Sequence, residues 1–118
     1  MKTLITILGL GFVLSSPSHS EEGFIVSKIR NLLVTSDGRF GGCGVQLYAN
    51  PRMTLSQCGD NWVSFSCSGT YASKSDAKSL YEMAQLAFLL DKEVNIGFHD
   101  SKIENGGHCT STYIAILN

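Results

Sequence analysis

No run of clustered Lys and Arg occurs in this sequence: its nine basic residues stand singly among ten acidic ones. Binding along a phosphate backbone needs grouped cations, so nucleic acid is not an expected partner. Equally missing are a Cys-x-x-Cys pair, a G-x-S-x-G elbow and a D-x-D-x-D-G loop. These gaps argue against a zinc site, a serine hydrolase of the elbow type and a calcium loop. Asp37, Asp60 and Asp100 all fall in predicted turns, which explains them as turn formers. His99-Asp100 and His108 are the obvious acid–base candidates. Each stands at a predicted strand end beside turn residues, where a solvated histidine needs no special role. The chain is therefore read as a non-enzyme, with no catalytic residue, no cofactor and no metal. A zinc site built from cysteines with His99 and His108 is the sharper alternative.

Long apolar runs are also scarce. The one present, Leu4 to Leu14 behind Lys2, is too short to span a bilayer and reads as a signal peptide. Ser18 and Ser20 supply the small residues expected before a cut, so cleavage is placed between Ser20 and Glu21. The remaining residues, 21–118, form one domain, with a secreted or periplasmic destination and no membrane span. Setting Lys2 aside leaves eight basic and ten acidic side chains, a net charge of −2 with histidines neutral. A domain of this size has a marginal core, and cross-links should matter. The four cysteines, Cys43, Cys58, Cys67 and Cys109, all lie in the exported part and read as two disulfides. Three pairings are possible. The preferred one is Cys43–Cys58, closing a loop in the first half, with Cys67–Cys109 tying a strand before the helix to the last strand.

Only Ser73 to Leu90 has the pattern of a long helix. Ser73 and Asp76 make a capping box at its start. Ala77, Leu80, Tyr81, Ala84, Ala87 and Phe88 follow at steps of three or four, and Met83, Leu86 and Leu90 widen the apolar stripe. The opposite stripe, Ser75, Lys78, Ser79, Glu82 and Gln85, is small and polar, with Lys78 and Glu82 placed to pair. The flanking sequence is β-like. Gly23 to Val34 and Arg39 to Tyr48 are predicted strands joined by the turn Thr35-Ser36-Asp37-Gly38. The first has Ile25, Ser27, Ile29 and Asn31 on one face, and glycines in the second suggest a bulge or a close backbone approach. An aperiodic loop from Asn50 to Asn61 leads to a third strand, Trp62 to Cys67. After the helix come Glu93 to His99 and Cys109 to Leu117. The predicted class is α+β, mainly β. Three strands, a helix and two strands is the order of an OB-fold, a small five-stranded barrel with its helix between strands 3 and 4.

Two stretches carry a family resemblance: VSKIRNLLVTSDGRF followed by Cys43, and VSFSCSG followed by a polar loop, the helix and KEVNIGF. They resemble the B subunit of subtilase cytotoxin and its relatives among the pertussis-like toxin B subunits, across most of the exported chain and as pattern, not identity. The resemblance implies an OB-fold subunit that forms a homopentamer, binds host-cell glycans and delivers a separate catalytic subunit of a toxin. It would set the stripe Ser75, Lys78, Ser79, Glu82 and Gln85 facing a central pore. The chain departs from that family in a shorter segment before the first strand and no longer tail after Leu117-Asn118. The family's sugar-binding serine has no single match here. Trp62 with its neighbours Asp60 and Asn61 has the mixture of aromatic face and polar groups that a glycan site needs, and Ser36 in the Thr-Ser turn joins them as a candidate. The alternative is a small exported, disulfide-bridged binding or inhibitor protein acting on a protein target.

Overall fold

The pairing of five strands and the packing of one helix against them account for the arrangement of residues 21–118, which are the residues described by the computed structural model. The signal peptide expected in residues 1–20, with its cleavage, lies outside the described residues. The strands are β1 (Glu22–Val34), β2 (Cys43–Leu47), β3 (Trp62–Ser64), β4 (Glu93–Ile103) and β5 (Cys109–Ile116), with helix α1 (Lys74–Leu89) between β3 and β4. They form one mixed sheet in the order β1-β2-β3-β5-β4, and β4 pairs with β1 to close the circuit. Every pairing is antiparallel except that of β3 with β5.

β1 follows the expected alternation for its first half, with Ser27 and Ile29 buried and Phe24, Val26, Lys28 and Arg30 exposed. The register then shifts between Ile29 and Asn31 in the pairing with β2, which turns Asn31 outward instead of inward. β2 is shorter than the sequence suggests, because Arg39–Gly41 coil into a 3₁₀ turn. Phe40, Gly41 and Gly42 all have positive φ there, of 56°, 84° and 88°. Gly42 also lies so close to the segment after β3 that a Cβ would stand 2.8 Å from the backbone nitrogen of Ser68. This is the close backbone approach that the glycines foretold. β4 runs on past His99 to Ile103, and its Val94, Ile96 and Phe98 are fully buried. With Val45, Leu47, Val63 and Phe65 they form the centre of the core.

Helix α1 starts where the capping pattern placed it: the Ser73 hydroxyl accepts from the backbone N–H of Asp76 at 3.1 Å. Its buried stripe is narrower than expected. Ala77, Ala84 and Ala87 are fully buried and Leu80 and Tyr81 pack partly against the core. Met83, Leu86, Phe88 and Leu90, assigned to the same face, are 38–55% exposed. Helical spacing accounts for the difference: Leu86, four residues after the exposed Glu82, falls on the polar side of α1, and Met83 and Leu90 flank the line of Ala77, Ala84 and Ala87 instead of lying on it.

The disulfides correct the expected pairing. Cys43 is joined to Cys67 and Cys58 to Cys109, with Cα–Cα distances of 5.4 and 5.3 Å; Cys43–Cys58 and Cys67–Cys109 do not form. The sheet explains why. Antiparallel pairing of β2 with β3 sets Gly44 opposite Ser64, which carries the start of β2 to the chain just after β3, where Cys67 lies. Parallel pairing of β3 with β5 sets Val63 opposite Cys109, which carries Cys109 to the loop end before β3, where Cys58 lies. A bridge follows the strand neighbours, and those are not deducible from cysteine spacing.

Candidate functional site

A cleft of about 540 Å³ opens where the β1–β2 turn faces the segment between β3 and α1. On one side β1 ends in Thr35-Ser36-Asp37-Gly38. Thr35 N–H donates to the Gly42 carbonyl at 2.7 Å and its hydroxyl donates to the Arg39 carbonyl at 2.9 Å. Asp37 accepts from the backbone N–H of Arg39 at 3.1 Å and pairs with its guanidinium at 2.8 Å. The backbone hydrogen bond first, and the guanidinium after it, hold the Asp37 carboxyl below its ordinary range. Gly38, at φ 82°, closes the turn.

The facing side is Cys67-Ser68-Gly69-Thr70. Ser68 N–H donates to the Gly41 carbonyl at 2.9 Å, fastening this segment to the first wall. The Ser68 and Thr70 hydroxyls lie 3.1 Å apart. Ser66, buried and at φ 63°, accepts from Tyr71 N–H at 2.9 Å and turns the chain towards the helix. Lys74, the first residue of α1, completes the lining beside Gly69, where a Cβ would meet its stem at 3.2 Å. The Cys43–Cys67 disulfide staples both walls, and Cys67 itself lines the cleft.

The cleft therefore presents hydroxyls from Thr35, Ser36, Ser68 and Thr70, one carboxylate and one ammonium. Ser36 is exposed, and among the described residues its hydroxyl has no protein partner. Lys74 makes no ion pair among the described residues and stands at the helix end whose free N–H groups already favour negative charge. Such a set can exchange hydrogen bonds with a polyhydroxylated ligand and attract an acidic group on it.

Of the candidate residues from sequence, Ser36 lines this cleft and Trp62, Asn61 and Asp60 do not. The indole of Trp62 stacks on the His108 ring with centroids 5.8 Å apart and planes 8° from parallel. Phe40 covers the other side of His108 at 5.3 Å. The Asn61 amide donates to the carbonyls of Leu47, Tyr48 and Ala49 at 3.2–3.3 Å, which ties the long loop to the end of β2. Asp60 is exposed, 3.8 Å from Arg52. Thr35, Asp37, Ser68, Thr70 and Lys74 were not singled out for this role, although the hydroxyl-rich runs Thr35-Ser36 and Ser66 to Thr70 carried the signal.

The other candidates are placed as follows. Burial pushes the pKa of both His99 and His108 below the ordinary value of 6.5. His99 Nδ1 lies 3.0 Å from the Ser101 hydroxyl, while Asp100 accepts from the backbone nitrogen of Glu21 at 2.8 Å. The four cysteines are consumed in disulfides, and among the described residues no three His, Cys, Asp or Glu converge as metal ligands. Ser75, Lys78, Ser79, Glu82 and Gln85 all lie on the exposed side of α1, with Lys78 and Glu82 paired at 2.9 Å. Among the described residues no helix is long and apolar enough to cross a membrane. In comparisons with known proteins, no family model, no curated protein and no solved structure matches the chain.

Proposed function

We propose that this protein is a secreted, glycan-binding subunit of a bacterial toxin, with an OB-fold, that assembles as a ring of five and carries a separate catalytic subunit to host cells. The observation that carries this reading is the hydroxyl-lined cleft around Ser36. Its walls are joined by a disulfide and by the Ser68–Gly41 backbone hydrogen bond, so a sugar entering it orders little that is not already fixed. Lys74 suits it to an acidic sugar such as a sialylated glycan.

The fold name is supported by the strand order β1-β2-β3-β5-β4, the parallel β3·β5 pair and a single helix between β3 and β4. The ring is supported by two separate exposed apolar surfaces. One is the outer side of α1 near its end, with Met83, Leu86 and Leu89; the other is the outer face of β1 and β5, with Phe24, Val26 and Tyr113. A closed head-to-tail ring needs two different surfaces of this kind on every subunit. Ser75, Lys78, Ser79, Glu82 and Gln85, which precede Leu86 and Leu89 on that same exposed side of α1, would then line the pore.

Light scattering on the oxidised protein, followed by a glycan array with the wild type and Ser36→Ala, tests both parts. A species of five chains that retains sialylated glycans, with retention lost in the variant, is the expected result. A monomer that retains no glycan would overturn the reading. It would favour the alternative of a binding or inhibitor protein that meets a protein target through the exposed apolar end of α1.

A further inference from the structure

A second hollow, of about 450 Å³, lies between β1 and the end of α1, on the part of β1 that precedes the Ser36 turn. Lys28, Arg30, Tyr48, Phe88, Asp91 and Lys92 line it. Three cations and one carboxylate give it a local charge of +2, in a chain whose residues 21–118 sum to −2. Asp91 is already engaged by Lys28 at 3.1 Å. Lys92 has an ordinary structural use, since a cation at a helix C-terminus offsets the partial negative charge there.

Arg30 has no such use. Among the described residues it makes no ion pair and no hydrogen bond, and its guanidinium lies over the Tyr48 ring, 5.7 Å from the centroid. Stacking on the ring holds the planar fork in position and leaves its N–H donors available. A fork of that geometry matches two oxygens of a carboxylate or sulfate. The hollow is far larger than a bare oxyanion and falls within the size range of small-molecule sites, so it has room for the body that bears the charge. Tyr48 and Phe88, 64% and 40% exposed, offer ring surface to the C–H face of a sugar, and the Lys28–Asp91 pair offers a donor and an acceptor to hydroxyls. Glu93 sits across from Lys28 on β4 and is not part of the lining.

From this we infer a second binding site, for an acidic saccharide whose sulfate or carboxylate is gripped by Arg30 and Lys92. It is separate from the Ser36 cleft and does not rest on the toxin reading: no residue lines both. The two sites lie at opposite ends of α1: Lys74, its first residue, lines one, and Phe88 and Lys92, at its end, line the other.

Nuclear magnetic resonance of the oxidised, isotope-labelled protein tests this at constant ionic strength. One arm is titrated with a sulfated heparin oligosaccharide and the other with an oligogalacturonate, which separates sulfate from carboxylate as the source of charge. Saturable shifts at the Arg30 side chain and at Tyr48 and Lys92, in either arm, are expected. Arg30→Gln with Lys92→Gln should weaken them roughly tenfold or more, whereas Ser36→Ala with Lys74→Gln should leave them in place. Shifts that never saturate in either arm, that persist in the Arg30/Lys92 variant, or that gather at the Ser36 cleft instead would overturn the site. Failure of the glycan array at Ser36 would leave these readouts untouched, so the two proposals fail separately.

Discussion

The two disulfides hold two loop regions that contain similar kinds of residue, yet one region keeps its polar groups available and the other does not. Around Cys43–Cys67 the chain presents Ser36 and Lys74, whose side chains have no protein partner among the described residues, to a cleft. Around Cys58–Cys109 the polar and aromatic groups are already satisfied by the fold. The Asn61 amide holds three carbonyls, Arg52 Nε donates to the Cys58 carbonyl at 3.1 Å, and Trp62 is stacked on His108. The difference is that in the second region the fold itself uses the Asn61 amide and the Trp62 ring. What distinguishes a site is polar atoms that the fold leaves without partners.

Removing each bridge is the strongest way to break the comparison. Cys58→Ala with Cys109→Ala opens a closure of 51 residues between two fully buried sulfurs, while Cys43→Ala with Cys67→Ala opens one of 24. Loop entropy alone makes the first loss about 4 kcal/mol and the second about 3 kcal/mol. A packing loss adds to both, and more to the first, since Cys58 and Cys109 are both fully buried whereas only Cys43 of the other pair is. Urea denaturation should rank the variants in that order. Ligand retention should rank them oppositely among molecules that remain folded, because only the Cys43–Cys67 bridge forms part of the cleft. Mild reduction should act in the same sense: Cys67 is partly exposed whereas Cys43, Cys58 and Cys109 are buried, so thiol labelling should appear first at Cys67.

Single substitutions sharpen the same contrast with smaller effects. Asn61→Ala should lower stability by about 1–3 kcal/mol, since it strips a shared donor from three loop carbonyls. Glycan binding by the folded protein should not change. Ser36→Ala should do the reverse, moving stability by less than about 0.5 kcal/mol while weakening binding. Paired unfolding curves and binding isotherms on the two variants measure both quantities. If Asn61→Ala lost binding in fully folded protein, the division between the two regions would be wrong.

Much of the fold was legible because it rests on local patterns. Ser73 and Asp76 marked the start of α1, and the spacing of Val94, Ile96 and Phe98 marked the buried face of β4. What was not legible depended on which distant segments become neighbours. The pairing of Cys43 with Cys67 follows from β2 lying beside β3, and that of Cys58 with Cys109 from β3 lying beside β5. The site divides likewise. Ser36 was visible as an exposed turn residue, but Ser68, Thr70 and Lys74 join it only through the stapling of two walls separated in sequence by the whole of β2, the long loop and β3. The stacking partner of Trp62 was not legible for a related reason: His108 arrives from the turn before β5.

That stack gives the last and smallest test, a pH dependence confined to the Cys58–Cys109 side. His108 is buried between Phe40 and Trp62, and burial lowers its pKa from 6.5, with Asp60 opposing the shift. In the unfolded chain the same ring has its ordinary value, so between the two values the unfolded state binds more protons. The stabilising contribution is therefore fully present above pH 6.5 and is lost as pH falls through the lower, folded value. His99 shifts in the same direction, chiefly through burial, with Lys102 adding to the effect. The melting temperature should accordingly decline as the protein is taken from pH 7.5 towards pH 5. His108→Phe keeps a flat ring between Phe40 and Trp62 but cannot take up a proton, so its curve should be flatter than that of the wild type, with the remaining slope carried by His99 and the carboxylates. An unchanged slope would mean that His108 is as easily protonated in the fold as out of it, and that the stack is open to water.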